Sequence, residues 1–200
     1  MASTELLVDP AVSRTKFERE IADYRRMENE HIAKGWWMLH ADFPTVFVVF
    51  ATPQVRPPAV IFGALLDFSN YDLWPPSVRL VNPFTREAYR FRELPTRLPR
   101  RVEQSLPPEL ANLPIERPFA LQDLMVAHNP DGIPFLCLPG VREYHEHPAH
   151  SGDSWLLHRG TAAGSLYFLL NQLYKYGVEP IRGYQIGMTI TAFNVPQVPE

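Results

Sequence analysis

Two apolar runs set close together most limit how this chain can fold: Thr45–Ala51, TVFVVFA, and Ala59–Phe68, AVIFGALLDF. The first is dense in β-branched and aromatic side chains, which fit a pleated, half-buried surface. The second is almost continuously apolar, the pattern of a central strand covered on one or both faces. A shorter aromatic run, Trp36–His40, precedes them, and Ser77–Val81 follows with Val78 and Leu80 on one face. The linking segments, ADFP and TPQVRPP, are turn formers, so the runs are expected to pair as a four-stranded antiparallel meander. Ser69–Pro76, SNYDLWPP, is expected to be irregular, because Pro75 and Pro76 cannot sit inside a sheet ladder.

Helices are expected on either side of this meander. Asp9-Pro10 is a helix start, since Asp accepts orphan N–H bonds and Pro suits the first helical position. Phe17, Ile21, Tyr24, Met27 and Ile32 then recur at helical spacing, and Gly35 is a stop. The spacing predicts one helix of about six turns, its apolar stripe packed on the sheet. Its basic residues Arg14, Lys16, Arg19, Arg25 and Arg26 leave a partner contact open. A second amphipathic helix is expected over Thr161–Tyr176, with Leu166, Leu169, Leu170 and Leu173 buried and Gly177 as its C-cap.

Pro83 to Pro118 has a different character, crowded with arginine, glutamate and proline. It reads as an insertion of little regular structure, with one short helix near Pro108–Asn112. A short extension follows from about residue 178, with a last strand at Ile186–Phe193 and a fraying tail. The order defines a single α+β domain over residues 1–200, with helices beside an antiparallel sheet.

Bulk properties exclude several classes. A 46% hydrophobic content supports a sizeable core, and a net charge of −3 gives no electrostatic footprint for nucleic acid. The single cysteine cannot form an internal disulfide, which fits a reducing compartment. The start, MASTELLVDP, lacks a signal peptide's features, and no apolar run approaches the roughly 20 residues that span a bilayer. A soluble cytoplasmic protein without a membrane partner is the expectation.

Chemistry concentrates between His128 and Trp155, which holds Cys137 and also His128, His145, His147 and His150. A thiol with histidines nearby suits a nucleophile. Flanked by Phe135, Leu136 and Leu138, the same thiol also suits an inert core position. The histidines offer a third reading: a zinc site on His145, His147 and His150, with Cys137 or His158 as a further ligand. The spacing H-x-H-x-x-H is neither H-E-x-x-H nor paired with a C-x-x-C.

The ordered motifs resemble the ubiquitin-conjugating enzyme fold, in particular divergent bacterial members of that superfamily. Phe62–Pro83, FGALLDFSNYDLWPPSVRLVNP, looks like the family's strand, aromatic turn, Pro-Pro and next strand. His128-Asn129-Pro130 is a permuted form of the family's His-Pro-Asn, and Asn129 stands eight residues before Cys137. Asp131-Gly132, Cys137-Leu138, Trp155 and the leucine-rich helix from Gly164 continue the likeness, which covers roughly residues 10–176. The connection from Pro83 to His128 is longer than the family's usual one.

The resemblance implies that Cys137 carries a ubiquitin-like protein as a thioester and passes it to an amine of an acceptor protein. It further implies Asn129 as oxyanion donor or loop brace, and His145 and Asp153 as proton handlers, with His147 next in line. The implied partners are the modifier and its activating enzyme, the latter at the N-terminal helix near Arg14, Lys16 and Arg19; no cofactor is implied. Two alternatives stand beside it: a non-catalytic adaptor of the same fold whose binding element is the Pro83–Pro118 insertion, and the zinc protein.

Overall fold

A computed structural model describes residues 7–104 and 118–185 of the chain. Four strands follow one another as an antiparallel sheet in sequence order: β1 (Trp36–Asp42), β2 (Thr45–Thr52), β3 (Ala59–Asp67) and β4 (Ser77–Val81). The expected meander is present, and each apolar run forms the strand expected of it to within two residues. β2 and β3 run in register from Thr45↔Asp67 to Phe50↔Phe62, after which a bulge shifts the pairing to Ala51↔Val60.

Alternation along β2 explains why it is apolar throughout. Val46, Val48 and Phe50 join the main core, while Phe47 and Val49 point the other way, onto Val81. That second face is covered by the turn after β4, where Val81 bridges Ala88 and the Arg86 guanidinium lies 4.5 Å above the Phe47 ring.

The first helical stretch is two helices, not one: α1 (Pro10–Arg26) and α2 (Glu28–Lys34). Met27 breaks the run at φ −115°, ψ 18°, its N–H bonding Tyr24 O at 3.1 Å as in a tightened turn. The break re-phases the residues beyond it. His31 is buried in α2, whereas Ile32, expected on the apolar stripe, is 47% exposed. Gly35 ends α2 in the left-handed region at φ 88°, where a Cβ would stand 2.2 Å from Ala51 O.

The stretch expected to lack regular structure contains one strand of an antiparallel pair, whose partner follows directly after Pro118. After a 3₁₀ turn at Phe91–Glu93, β5 (Pro99–Glu103) pairs antiparallel with β6 (Phe119–Asp123). Proline hid it from the sequence pattern: Pro99 opens β5, where a strand tolerates proline, and Pro118 lies just outside β6. The helix expected near Pro108–Asn112 and the strand expected at Ile186–Phe193 lie outside the described residues.

A short ribbon then carries the cysteine. β7 (Met125–Val126) pairs with β8 (Phe135–Leu136), and α3 (Arg142–Glu146) and two 3₁₀ turns, Pro148–His150 and Trp155–Leu157, lead to α4 (Leu166–Gly177). α4 starts later than the sequence suggested, because Gly164 is at φ 76° and the Ser165 side chain caps the Phe168 N–H. Leu166, Leu169, Leu170 and Leu173 are fully buried as expected, packed with Phe17, Ile21 and Tyr24 of α1 over one face of the sheet. No helix among the described residues is long and apolar enough to cross a membrane.

Candidate active site

Cys137 follows directly on β8, and the Leu138 N–H bonds Leu136 O at 2.9 Å, closing a tight three-residue turn around it. Leu136 and Leu138 are buried, and Cys137 between them is half-buried, at the surface. Its backbone N–H bonds Leu124 O at 2.7 Å, and the Leu124 N–H bonds Leu98 O at 3.2 Å, fixing the cysteine segment to the β5–β6 side of the molecule. The thiol is therefore not fully buried, although its neighbours in sequence are apolar.

Cys137 Sγ lies 3.4 Å from Nε2 of His150. His150 ends a 3₁₀ turn opened by His147 and Pro148, and the Tyr144 ring stacks on its imidazole with centroids 4.0 Å apart at 23°. Tyr144 in turn donates its hydroxyl to Asp153 Oδ2 at 2.7 Å, and His158 Nε2 meets Asp153 Oδ1 at 2.6 Å. These hydrogen bonds, from His158 first and Tyr144 second, hold the Asp153 carboxyl below its ordinary range. Burial, and then the bond to Asp153, pushes the Tyr144 phenol up to about 12, so it acts as a fixed donor. Burial also pushes the Cys137 thiol up, and the Arg100 charge pulls it back.

His145 has a different place from the one the resemblance implied. Its Nε2 accepts the Gly140 N–H at 3.1 Å and its Nδ1 stands 2.7 Å from Asp153 O. Both nitrogens are held by backbone, which requires the neutral ring with its proton on Nδ1, and burial lowers its pKa in the same direction. This imidazole braces the loop and has no free nitrogen for a substrate proton. Asp153 acts at one remove, through Tyr144 and His158.

Asn129 stands in the turn where the Gly132 N–H bonds Asn129 O at 3.1 Å, at the tip of the β7–β8 ribbon. Cys137 is at the base of that ribbon, with the Met125↔Leu136 and Val126↔Phe135 pairs between them. At about 3.3 Å per residue the tip is roughly 10 Å or more from the base. The equal spacing to the family's asparagine does not put this amide beside the thiol.

The three histidines of the zinc reading do not turn free nitrogens to one point. His145 is committed to backbone, and His147 Nδ1 accepts the Ala149 N–H at 3.2 Å while its ring stacks on Phe135 and His128. Among the described residues no group of three or more His, Cys, Asp or Glu side chains is placed to hold a metal ion.

The frame around the thiol is anchored by charge and by glycine. Arg142 at the start of α3 is 9% exposed and donates to Ser69 O at 2.8 Å and Pro75 O at 3.3 Å, with Asp67 Oδ2 at 3.5 Å. Ser77 is hydrogen-bonded to Glu143, tying α3 to the start of β4. Gly140, at φ 92°, passes so close to Gly164 that a Cβ would stand 2.3 Å from the Gly164 N. Beside the histidine loop a cleft of about 380 Å³ opens, lined in part by Trp74, His145, His150, Asp153 and Trp155.

Sequence pattern marks His150 only as a metal ligand and does not single out Tyr144. The one sequence signal for either is nearness to Cys137. Arg100, whose charge bears on the Cys137 thiol, carries no such signal.

The chain matches the model of the Y4jH-like family over residues 8–181, and it belongs to that family. The matched span runs from the start of α1 to just past α4 and includes the whole candidate site. A particular relative is the protein described as uncharacterized protein y4jH of Sinorhizobium fredii. It is 42% identical over 185 residues, which cover 92% of this chain and 90% of the relative.

Proposed function

We propose that the chain is a conjugating-enzyme-type transferase, which takes the C-terminal acyl group of a ubiquitin-like protein onto Cys137 and passes it to an amine of an acceptor protein. The observation that carries this reading is the half-buried thiol with an imidazole nitrogen at 3.4 Å. The order of helix, four-stranded meander, Pro-Pro, cysteine segment and helix supports its likeness to ubiquitin-conjugating enzymes.

In this reading the Cys137 thiol gives its proton to His150 Nε2, and the sulfur attacks the carbonyl carbon of an incoming thioester. A carbon–sulfur bond forms, the carbonyl electrons move to oxygen, and collapse of that oxyanion breaks the donor's carbon–sulfur bond. The departing thiolate takes the proton back from His150. In the second half an amine attacks the Cys137 thioester, the Cys137 sulfur leaves, and the proton from nitrogen returns to it by way of His150. Stacked Tyr144, held by Asp153, keeps the imidazole aimed at the sulfur. His145 is a loop brace here, and Asn129 a turn residue.

An activating enzyme has a seat on α1 in this reading, where Arg14, Phe17, Ile21, Arg25, Arg26 and Phe43 help line a groove of about 610 Å³. Lys16 is less available, being paired with Asp72.

A minimal test offers the purified chain a short peptide ending in Gly-Gly as its mercaptoethanesulfonate thioester. The expected result is a covalent adduct, seen by intact mass, that excess thiol removes and that C137A lacks. A wild-type chain whose thiol alkylates readily yet takes no acyl group would overturn the transfer reading and give the lead to a non-catalytic adaptor.

A further inference from the structure

We infer that the open edge of β6 is a track on which the extended C-terminal tail of the acyl donor is added as a third strand, so that its carboxyl end arrives at Cys137. The inference rests on Cys137 being the acyl carrier, and it gives a task to the strand pair that departs furthest from the conjugating-enzyme pattern.

The hydrogen-bond ladder shows which edge is open. The Gln104 N–H bonds Pro118 O at 2.9 Å and the Leu124 N–H bonds Leu98 O at 3.2 Å, both in step with the Arg100↔Gln122 register. Hydrogen-bonded and non-bonded pairs alternate along an antiparallel ladder. Ala120 and Gln122 therefore turn their N–H and C=O groups to β5. Phe119, Leu121 and Asp123 turn theirs to the opposite edge, where no strand stands among the described residues.

The chain bends at Leu124, and beyond the bend that opposite edge is occupied by β8. The Met125 N–H bonds Arg97 O at 3.1 Å on the β5 side, while Met125 pairs with Leu136 on the other. Leu124 O, the acceptor between the two stretches, takes the Cys137 N–H at 2.7 Å. The open stretch of β6 thus leads up to the cysteine, and the cysteine backbone closes it.

Native sheets blunt their edges with proline and charge. β5 has Pro99, Arg100, Arg101 and Glu103 in five residues. β6 is FALQD, and its one charge, Asp123, lies 3.8 Å from Arg97. Leu121 is 67% exposed and Phe119 43% exposed, and residues two apart share a face. An extended peptide with an apolar side chain ahead of its terminal residues fits such an edge by main-chain bonds and alternate side chains.

Direction identifies the occupant. A chain laid parallel to β6 reaches Cys137 with its C-terminus, the end through which an acyl donor reacts. A second copy's β6, laid antiparallel, would bring its Phe119 end there and no acyl group. At about 3.3 Å per residue, the four steps from Phe119 to Asp123 span roughly 13 Å, a track for the last few residues of a tail.

The test offers wild type, L121P and L121A the peptide acetyl-Val-Thr-Leu-Gly-Gly as its mercaptoethanesulfonate thioester and follows adduct formation by intact mass, with thermal melts alongside. The Leu121 N–H faces the open edge, so proline there spares the β5 ladder and blocks strand addition. L121P is expected to slow capture about tenfold or more, with L121A between it and the wild type. Single N-methyl groups along the peptide should slow capture at alternate amides only, because successive amides of a strand face opposite edges. An L121P rate equal to the wild type, or N-methyl effects equal at neighbouring amides, overturns the inference. Should L121P fail to fold, the N-methyl series on the wild type decides.

Amide exchange followed by NMR separates this claim from the transfer reading. With the free-acid peptide at millimolar concentration, full-length C137A should gain protection at Leu121 and Asp123 but not at Ala120 and Gln122. That gain, in a protein whose wild type accepts no acyl group, removes the transfer reading and leaves strand addition standing. No gain overturns the inference, and so does protection already present without peptide that falls on dilution, which would give the edge to a second copy.

Discussion

Cys137 is the central residue of a tight turn closed by the Leu138 N–H on Leu136 O, and between two buried leucines its thiol comes out beside His150. Two imidazoles of the loop that follows it are held in opposite manners. His150 presents Nε2 to the sulfur, whereas His145 spends both nitrogens on the backbone of Gly140 and Asp153. Their substitutions should therefore separate cleanly. H150A is expected to slow acyl capture and neutral-pH alkylation by about 10²-fold or more, the usual weight of a positioned base, with little change in melting temperature. H145A leaves a buried donor and acceptor without partners and is expected to cost about 1–3 kcal/mol of stability in a denaturant titration. Equal loss of rate in both variants with unchanged melting would contradict this division.

At the scale of elements, the loop that carries the cysteine is clamped to the start of α4 where two glycines cross. Gly140 at φ 92° would place a Cβ 2.3 Å from Gly164 N and 2.9 Å from Ala163 C, and neither backbone atom can swing aside. G140A should lose about 2 kcal/mol or more, combining the left-handed penalty of about 1–2 kcal/mol with the clash. G160A provides the comparison. Gly160 has φ 82°, but a Cβ there meets open space, so only the conformational cost applies. Differential scanning calorimetry should find G140A clearly below G160A, and coincident melts would argue against the clamp. The β5–β6 hairpin is the other element that sequence pattern did not disclose. Its strands are rich in arginine and polar residues and bordered by proline, and their pairing joins positions far apart in the chain.

For the molecule as a whole, α2, β1 and α4 meet around a buried histidine. His31 is 1% exposed, stacks on Trp36 with centroids 4.8 Å apart and lies 4.4 Å from Tyr24, and neither ring nitrogen has a hydrogen-bond partner among the described residues. Tyr167 of α4 completes the enclosure at 5.9 Å. Burial lowers its pKa, as it does for His145. The unfolded chain takes up these protons near the ordinary histidine value of about 6.5, the folded chain only at lower pH. Between the two values the unfolded state binds more protons, so stability must fall as pH falls below about 6.5. Melting temperature should drop between pH 7 and pH 5, and less steeply in H31F. Parallel profiles for H31F and the wild type would sink His31 as a source of the pH dependence.

The sequence by itself determined the sheet and the leucine face of α4. Those signals are local: runs of β-branched and aromatic residues such as TVFVVFA, and leucines recurring at helical spacing, depend on neighbours a few positions away. It also pointed to Cys137 and the histidines around it as the place where chemistry collects. The break at Met27 was less legible, since apolar spacing continues on either side and only the tightened turn at Tyr24 re-phases it. Tertiary structure alone decided which histidine meets the thiol and that Asn129 stands away from it. Those choices depend on strand pairing and loop crossing between distant residues, where a single step of register exchanges one face of a strand for the other.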